Sequence, residues 1–198
     1  MPEPAKATTD LNPGFATSSI GIEGGGVVYT SFKADAAVPT DATTKMSALA
    51  DFVSLGELSE NGFTDSRSIS TTDHKGYHGT IIMTTVDDDT TKIKVEFLEV
   101  NRPAVAKLRY GNDSVTETAG KITAIKRKPY KGEKHPFVLQ ELMSDTRLHR
   151  IVVEKGVITS FDDVPHKRGD LMVFGMDITA NTPDDGSEVV KEYFAEVA

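Results

Sequence analysis

His74 and His78, in the stretch HKGYH, are four residues apart, the spacing with which two imidazoles on one helical face chelate zinc. The flanks oppose that geometry. Gly76 and Gly79 break a helix, and the surrounding Thr and Ile residues favour extended chain, where the two rings stand about 13 Å apart. The glutamate of a zinc hydrolase motif is also missing. The pair reads as two partly exposed histidines. His135, His149 and His166 are scattered, with no matching serine or cysteine elbow.

The other chemically suggestive stretches fail for similarly specific reasons. GIEGGGVV (21–28) is glycine-rich but precedes a strand, whereas a dinucleotide fingerprint follows one and opens a helix. Asp87-Asp88-Asp89 resembles half a calcium loop, without the glycine at the sixth position or the closing bidentate glutamate. It reads as a solvated hairpin tip. Asp162-Asp163 and Asp184-Asp185 also fall at turns. Spacing alone leaves paired-carboxylate glycoside chemistry open for them, but no Trp is present to build a sugar cleft. KRKPYKGEKH (126–135) would suit a nucleic-acid backbone. A solvated loop at a strand end is the simpler reading, given a net charge of −8. With no Cys, disulfides, Cys-based zinc sites and thiol nucleophiles are excluded, in keeping with a reducing compartment. The expected set of catalytic, cofactor-binding and metal-binding residues is therefore empty, and the chain is not read as an enzyme.

What the elements must position is thus a surface and not a reaction centre. The charge is unevenly spread. Residues 1–100 hold 7 basic and 15 acidic residues, and residues 101–198 hold 15 of each. Two oppositely charged segments in one chain suit complementary contacts between copies. At 198 residues the chain suits one domain that buries roughly 70% of its unfolded surface. No apolar run is long enough for a membrane span, and the N-terminus does not read as a secretory signal.

Residues 1–24, rich in Pro, Thr, Ser and Gly, read as an N-terminal arm, and 25–198 as a single β-sandwich domain. A first strand over 24–32 runs into an extended, bland loop at about 33–50, with Pro39 in it. Strands at 52–58 and 63–73 are expected to join at the hairpin dipeptide Asn61-Gly62. A second hairpin is expected from 77–86 and 91–100, with its tip at Asp87–Asp89. Pro103 at a first helical turn and Gly111 at its end bound one short helix. Strands follow at 120–127, 136–143, 147–154, 157–161 and 170–180, with tight turns at 153–157 and 183–186. The final stretch, SEVVKEYFAEVA, fits neither period cleanly, and a strand is favoured because it follows a strand and a turn. The fold class is mostly β: an antiparallel sandwich or barrel with one short flanking α-helix.

The order of these features is familiar. A Pro-Thr-Asp loop (AAVPTDA), the turn FVSLGELSENGF, a polar strand SRSISTTDHKGYHG, a hairpin and then FLEVNRPAVAKLRYGND together resemble the major tail tube protein of long, non-contractile-tailed bacteriophages, particularly those of actinobacterial hosts. The resemblance spans roughly residues 20–180. It implies a tail-tube-like β-sandwich subunit that self-assembles into hexameric rings, stacked head to tail as a hollow virion tail through which DNA passes without specific binding. It implies a tape-measure protein and a tail terminator as partners, assembly in the host cytoplasm, no catalytic residues and no membrane. The other readings open at this level are a ring-forming tube of a secretion or injection system and a monomeric β-sandwich binding module.

On the tube reading, the bland loop and the N-terminal arm bridge copies. Leu11, Phe15, Val38, Pro39, Met46, Leu49 and Phe52 are then candidate inter-subunit contacts, most of them buried only on assembly. Asp87, Asp88 and Asp89 are candidate channel-facing acids, since an acidic wall would repel passing phosphates. Deletion of residues 36–46 is expected to leave a folded, soluble subunit that cannot extend tubes, as seen by negative-stain microscopy.

Overall fold

Phe137-Val138-Leu139 and Ile151-Val152-Val153 are unbroken apolar runs, and all six side chains are buried. Successive side chains on a strand point to opposite faces, so a strand of this kind needs cover on both. The computed structural model, which describes residues 27–33, 35–144 and 147–196, shows what supplies it.

The strands are β1 (Val28–Thr30), β2 (Val53–Ser54), β3 (Leu58–Lys75), β4 (Ile81–Phe97), β5 (Val115–Thr118), β6 (Lys121–Ile125), β7 (Lys134–Ser144), β8 (Arg147–Phe161), β9 (Phe174–Ala180) and β10 (Lys191–Glu196). Eight of them form one antiparallel sheet in the order β2-β1-β7-β8-β9-β4-β3, with β10 added on β8; β5 and β6 form a separate two-stranded ribbon. The helix α1 (Pro103–Tyr110) starts at Pro103 and ends where Gly111, at φ 90°, donates its N–H to the Lys107 carbonyl. The protein is therefore mostly β and antiparallel, with one flanking α-helix, as the pattern predicts.

One face of the sheet makes the main core. Val28, Ile93, Val95, Phe97, Phe137, Leu139, Ile151, Val153, Met176 and Ile178 pack there with Val105 and Leu108 of α1. The alternate residues Tyr29, Val138 and Val152 make a second core on the opposite face, closed by Met46 and Phe52. The loop of residues 36–52 is the cover for that second face. The reading of the loop as a segment with nothing to pack is thus corrected: the sheet beneath it is apolar on both sides and needs it.

Three expected turns lie inside strands instead. Asn61-Gly62 is not a hairpin turn. The register passes from Leu58↔Phe97 to Phe63↔Val95, so residues 59–62 bulge opposite Glu96. The Glu96 carboxylate gathers that bulge, accepting from Ser59 Oγ and Asn61 Nδ2, both at 2.8 Å. Asp87–Asp89 is not a tip, because β4 runs straight through it. The chain reverses at Gly76–Gly79, where Gly79 takes φ 79° and Gly76 exchanges backbone bonds with Gly79 and Thr80. Finally, residues 153–157 do not turn; β8 continues through Gly156 with a register shift against β7.

Gly156 is small for a reason. A Cβ there would lie 2.5 Å from Phe137 Cδ2 and 2.8 Å from Ile178 Cγ2, both in the main core. Gly156→Ala should therefore overpack the core and cost about 1–3 kcal/mol, read as a lowered midpoint in urea unfolding with the m-value unchanged.

Candidate assembly surface

The β3–β4 hairpin leaves the body. β9 pairs with β4 only from Lys92 to Phe97, whereas β3 and β4 stay paired out to Lys75 and Ile81. Ten residues of β3 beyond Asp65 correspond to about 33 Å of projecting ribbon. On one face stand Arg67, Ile69, Thr71 and Asp73; on the other, Ser66, Ser68, Ser70, Thr72 and His74, opposite Lys92, Thr90, Asp88, Thr85 and Met83. Both faces of this polar strand lie in water. Ten large apolar side chains are exposed among the described residues, and six of them (Ile69, Tyr77, Ile81, Ile82, Met83 and Val86) stand on this hairpin. Exposed apolar side chains gathered on one projecting element mark an interaction surface.

The hairpin also divides the acids expected to act together. Asp89 shares a face with Ile69 and is ion-paired with Arg67, whose Nε donates at 2.8 Å. The Arg67 guanidinium holds the Asp89 carboxyl below its ordinary value. Asp88 lies on the hydroxyl face and accepts from Thr90 at 2.9 Å. Asp87 is the extra residue of a bulge and accepts from Thr72. The three therefore do not present one carboxylate row. His74 sits on the strand, His78 at the turn against Tyr77, and no metal-holding group of His, Asp or Glu occurs among the described residues.

Beside the hairpin the sheet forks. β8 pairs with β10 from Arg147 to Val152 and with β9 from Gly156 to Phe161. β10 and the hairpin diverge, leaving a groove of about 340 Å³ between Asp65, Arg67, Asp89 and Thr91 on one side and Val189, Val190 and Glu192 on the other. His149 fastens β10 in place. Its Nδ1 lies 2.7 Å from Glu141 and its Nε2 3.0 Å from Glu192, while the ring stacks on Phe194 at 4.4 Å. Nothing in the spacing of these residues along the chain signalled that contact.

The opposite surface is built on a buried cation. Arg150, 1% exposed, donates from Nη1 to the Asp41 carbonyl and from Nη2 to the Thr44 carbonyl, each at 2.7 Å, and from Nε to Gln140 Oε1 at 3.1 Å. Burial lowers its pKa, and the Asp41 charge opposes that shift. Asp41 in turn shapes the loop, its carboxylate accepting from the Thr43 N–H at 2.7 Å and the Thr44 hydroxyl at 2.6 Å. Of the candidate contact residues, Pro39, Met46 and Phe52 are buried within the subunit itself, so their burial does not wait for assembly. Val38 and Leu49 are half-buried at the loop surface. Leu11 and Phe15 lie outside the described residues. Removal of residues 36–46 would uncover Arg150 and the second core, so that deletion is expected to unfold the subunit and not merely to block its assembly.

Two substitutions test this clamp. Arg150→Met should cost about 2–4 kcal/mol, since two loop carbonyls lose a charged donor, and hydrogen exchange over residues 38–48 should rise. Asp41→Ala should destabilise at neutral pH. The Asp41 pKa is lowered from 3.8, chiefly by the Thr44 hydroxyl, so its contribution is complete above that value and is lost as pH falls below it. The stability gap between Asp41→Ala and the parent should therefore close in acid, as measured by urea titrations from pH 7 downward.

Comparison with known proteins places this geometry. A family model described as phage tail tube protein matches residues 13–194. Among curated proteins no match was found. Two solved chains share a partial likeness of fold. One, from the virion of a native gene transfer agent particle, is 9% identical, with a TM-score of 0.39, covering 85% of this chain and 95% of that one. The other, from the anti-feeding prophage baseplate, six-fold symmetrised, is 8% identical, also with a TM-score of 0.39, covering 90% and 97%. At that level of similarity neither carries an argument about function.

Proposed function

Because the chain belongs to the phage tail tube protein family, a structural and not an enzymatic family of the virion tail, we propose that it assembles into hexameric rings stacked head to tail as a hollow tube through which DNA passes. The observation that carries this reading is the projecting part of the β3–β4 hairpin, residues 66–91, whose large apolar side chains Ile69, Tyr77, Ile81, Ile82, Met83 and Val86 are all exposed in its own subunit. A ribbon of about 30 Å that keeps Ile69, Ile81, Ile82 and Val86 in water has its partner elsewhere. The outer edge of β3, without a strand partner among the described residues, adds a long row of backbone groups of the kind that strand addition between neighbours would close.

In this arrangement Val38 and Leu49, on the clamped loop, are the remaining loop candidates for contact between subunits. Asp87 and Asp88, free of ion pairs among the described residues, are better channel-facing candidates than Asp89. Residues 1–24 act as an arm on the single domain that follows. A tape-measure protein sets the length of the tube, a terminator ends it, and assembly takes place in the host cytoplasm. No described helix is long and apolar enough to cross a membrane.

The test is to replace residues 69–89 with an Asn-Gly turn, which keeps Ser68 opposite Thr90. The shortened subunit should keep its far-ultraviolet circular dichroism and unfolding midpoint, because the excised ribbon contributes little to either core. Under negative stain the parent protein should form hollow filaments and the shortened one none. A parent chain that stays monomeric at every concentration, alone and with its tape-measure protein, would overturn the reading.

A further inference from the structure

The hairpin needs a receptor, and the same chain carries a surface of matching character. Asp73, Asp87 and Asp88 lie on the outer hairpin with Lys75 as the only base between residues 68 and 88. Each carboxylate accepts from a threonine hydroxyl: Thr84 at 2.7 Å for Asp73, Thr72 for Asp87 and Thr90 for Asp88. They are held in place but not neutralised. On the other side of the fold, residues 121–134 carry six bases against Glu133. Lys126, Arg127 and Lys128 are exposed in the stretch between β6 and β7.

These three cations are held without being neutralised. Arg127 donates to the Tyr110 hydroxyl at 3.4 Å, with its guanidinium 4.9 Å from that ring. Lys128 donates to the Asp113 carbonyl at 3.3 Å. Among the described residues none of the three is ion-paired, and their side-chain hydrogen bonds go to Tyr110 and Asp113, not to the hairpin. Ile125 and Pro129 stand exposed beside them, small apolar complements for Ile82 and Met83.

We propose that the hydroxyl face of the outer hairpin of one copy docks on the Ile125–Lys131 segment of the next, with Asp87 and Asp88 set against Lys126, Arg127 and Lys128. This rests on the self-assembly reading above and names its contact. Donor and receptor are different surfaces of one chain, so each copy gives one contact and accepts one. Such a heterologous contact closes into a ring where the rotation between copies closes, and between stacked rings, where it does not, it propagates as an open filament. Opposite charges steer the encounter and reject like-charged registers, while the apolar residues supply buried area. The ionic part weakens with salt, since the Debye length is about 8 Å at 0.15 M.

The test uses two charge-reversed full-length variants, D87K/D88K and K126E/R127E/K128E, each checked for the parental circular dichroism spectrum. Alone, each should raise the concentration needed for polymerisation at least tenfold, because its hairpin and receptor then carry like charge. An equimolar mixture should polymerise near the parental concentration, since each hairpin meets an opposite receptor on the other variant. The docking is overturned if either variant polymerises like the parent, or if the mixture does not recover. It is likewise overturned if the basic-segment variant assembles normally but loses binding to a DNA duplex, which would assign that segment to nucleic acid.

A second measurement separates the docking from the tube itself. The parent has no cysteine, so mixing D87C with R127C protein under mild oxidation reports one contact between copies. The heterodimer should form at least tenfold faster than from D87C with the exposed-loop control K167C. Equal rates overturn the docking whether or not the parent forms tubes; a parent that forms no polymer but shows the selective adduct would instead overturn only the tube.

Discussion

Strand β8 is hydrogen-bonded to β7 along most of one edge, but on its other edge to β10 as far as Val152 and to β9 from Gly156. That change of partner shapes the rest of the molecule. Where β9 stops at Ala180, β4 loses its inner neighbour and continues with β3 alone. The body therefore ends in two diverging extensions, β7-β8-β10 and the β3–β4 hairpin. Gly156 stands at the change, beneath Phe137 and Ile178, where no side chain fits. A larger residue there would press on the junction from which both extensions leave.

The second dependence is electrostatic. Taking a guanidinium out of water is costly unless its donors are used, and all three nitrogens of Arg150 donate, to Gln140 and to two carbonyls of the 36–52 loop. The loop in turn has almost no regular structure beyond one short 3-10 turn at Met46–Ala48. Charge and loop hold each other. The loop covers Val138 and Val152, and in exchange its carbonyls replace water around Arg150. Val38 and Leu49 are thereby presented on a surface whose backbone is fixed before any neighbour arrives. A preformed surface of this kind reduces the ordering cost of association.

Much of this was legible in the residues. Pro103 and Gly111 bounded the helix because a missing N–H and a permissive φ act locally, whatever surrounds them. The mostly antiparallel β class followed from alternation and closely spaced turn residues. The misread turns share one cause. Asn61-Gly62, Asp87–Asp89 and Lys155-Gly156 are all turn-prone sequences that the structure uses as bulges or as extended chain, because cross-strand pairing before and after them along the chain outweighs a local preference. The loop was misread for a different reason. Its own residues are bland, and the signal for its role lay a hundred residues away, in the consecutive apolar side chains of β7 and β8. The contacts of Arg150 and His149 depend on strand order, which no short stretch encodes.

The hairpin meets two opposed demands. Alone, the subunit must not pair its long outer edge with whatever it meets; in the docking proposed above, that ribbon must hold fast to the next copy. Its alternation serves both. Hydroxyls on one face and the Arg67–Asp89 pair on the other keep the ribbon hydrated, and bulges at Asp87 and Ile82 bend it away from the flat geometry that promiscuous strand pairing needs. The apolar residues are spread over both faces and the tip, so no single face is greasy enough to collapse on a like face. Only a partner that engages acids and apolar side chains together gains the full contact. Specificity of that kind comes from requiring two weak matches at once, and it allows a subunit to stay soluble at low concentration while remaining ready to assemble.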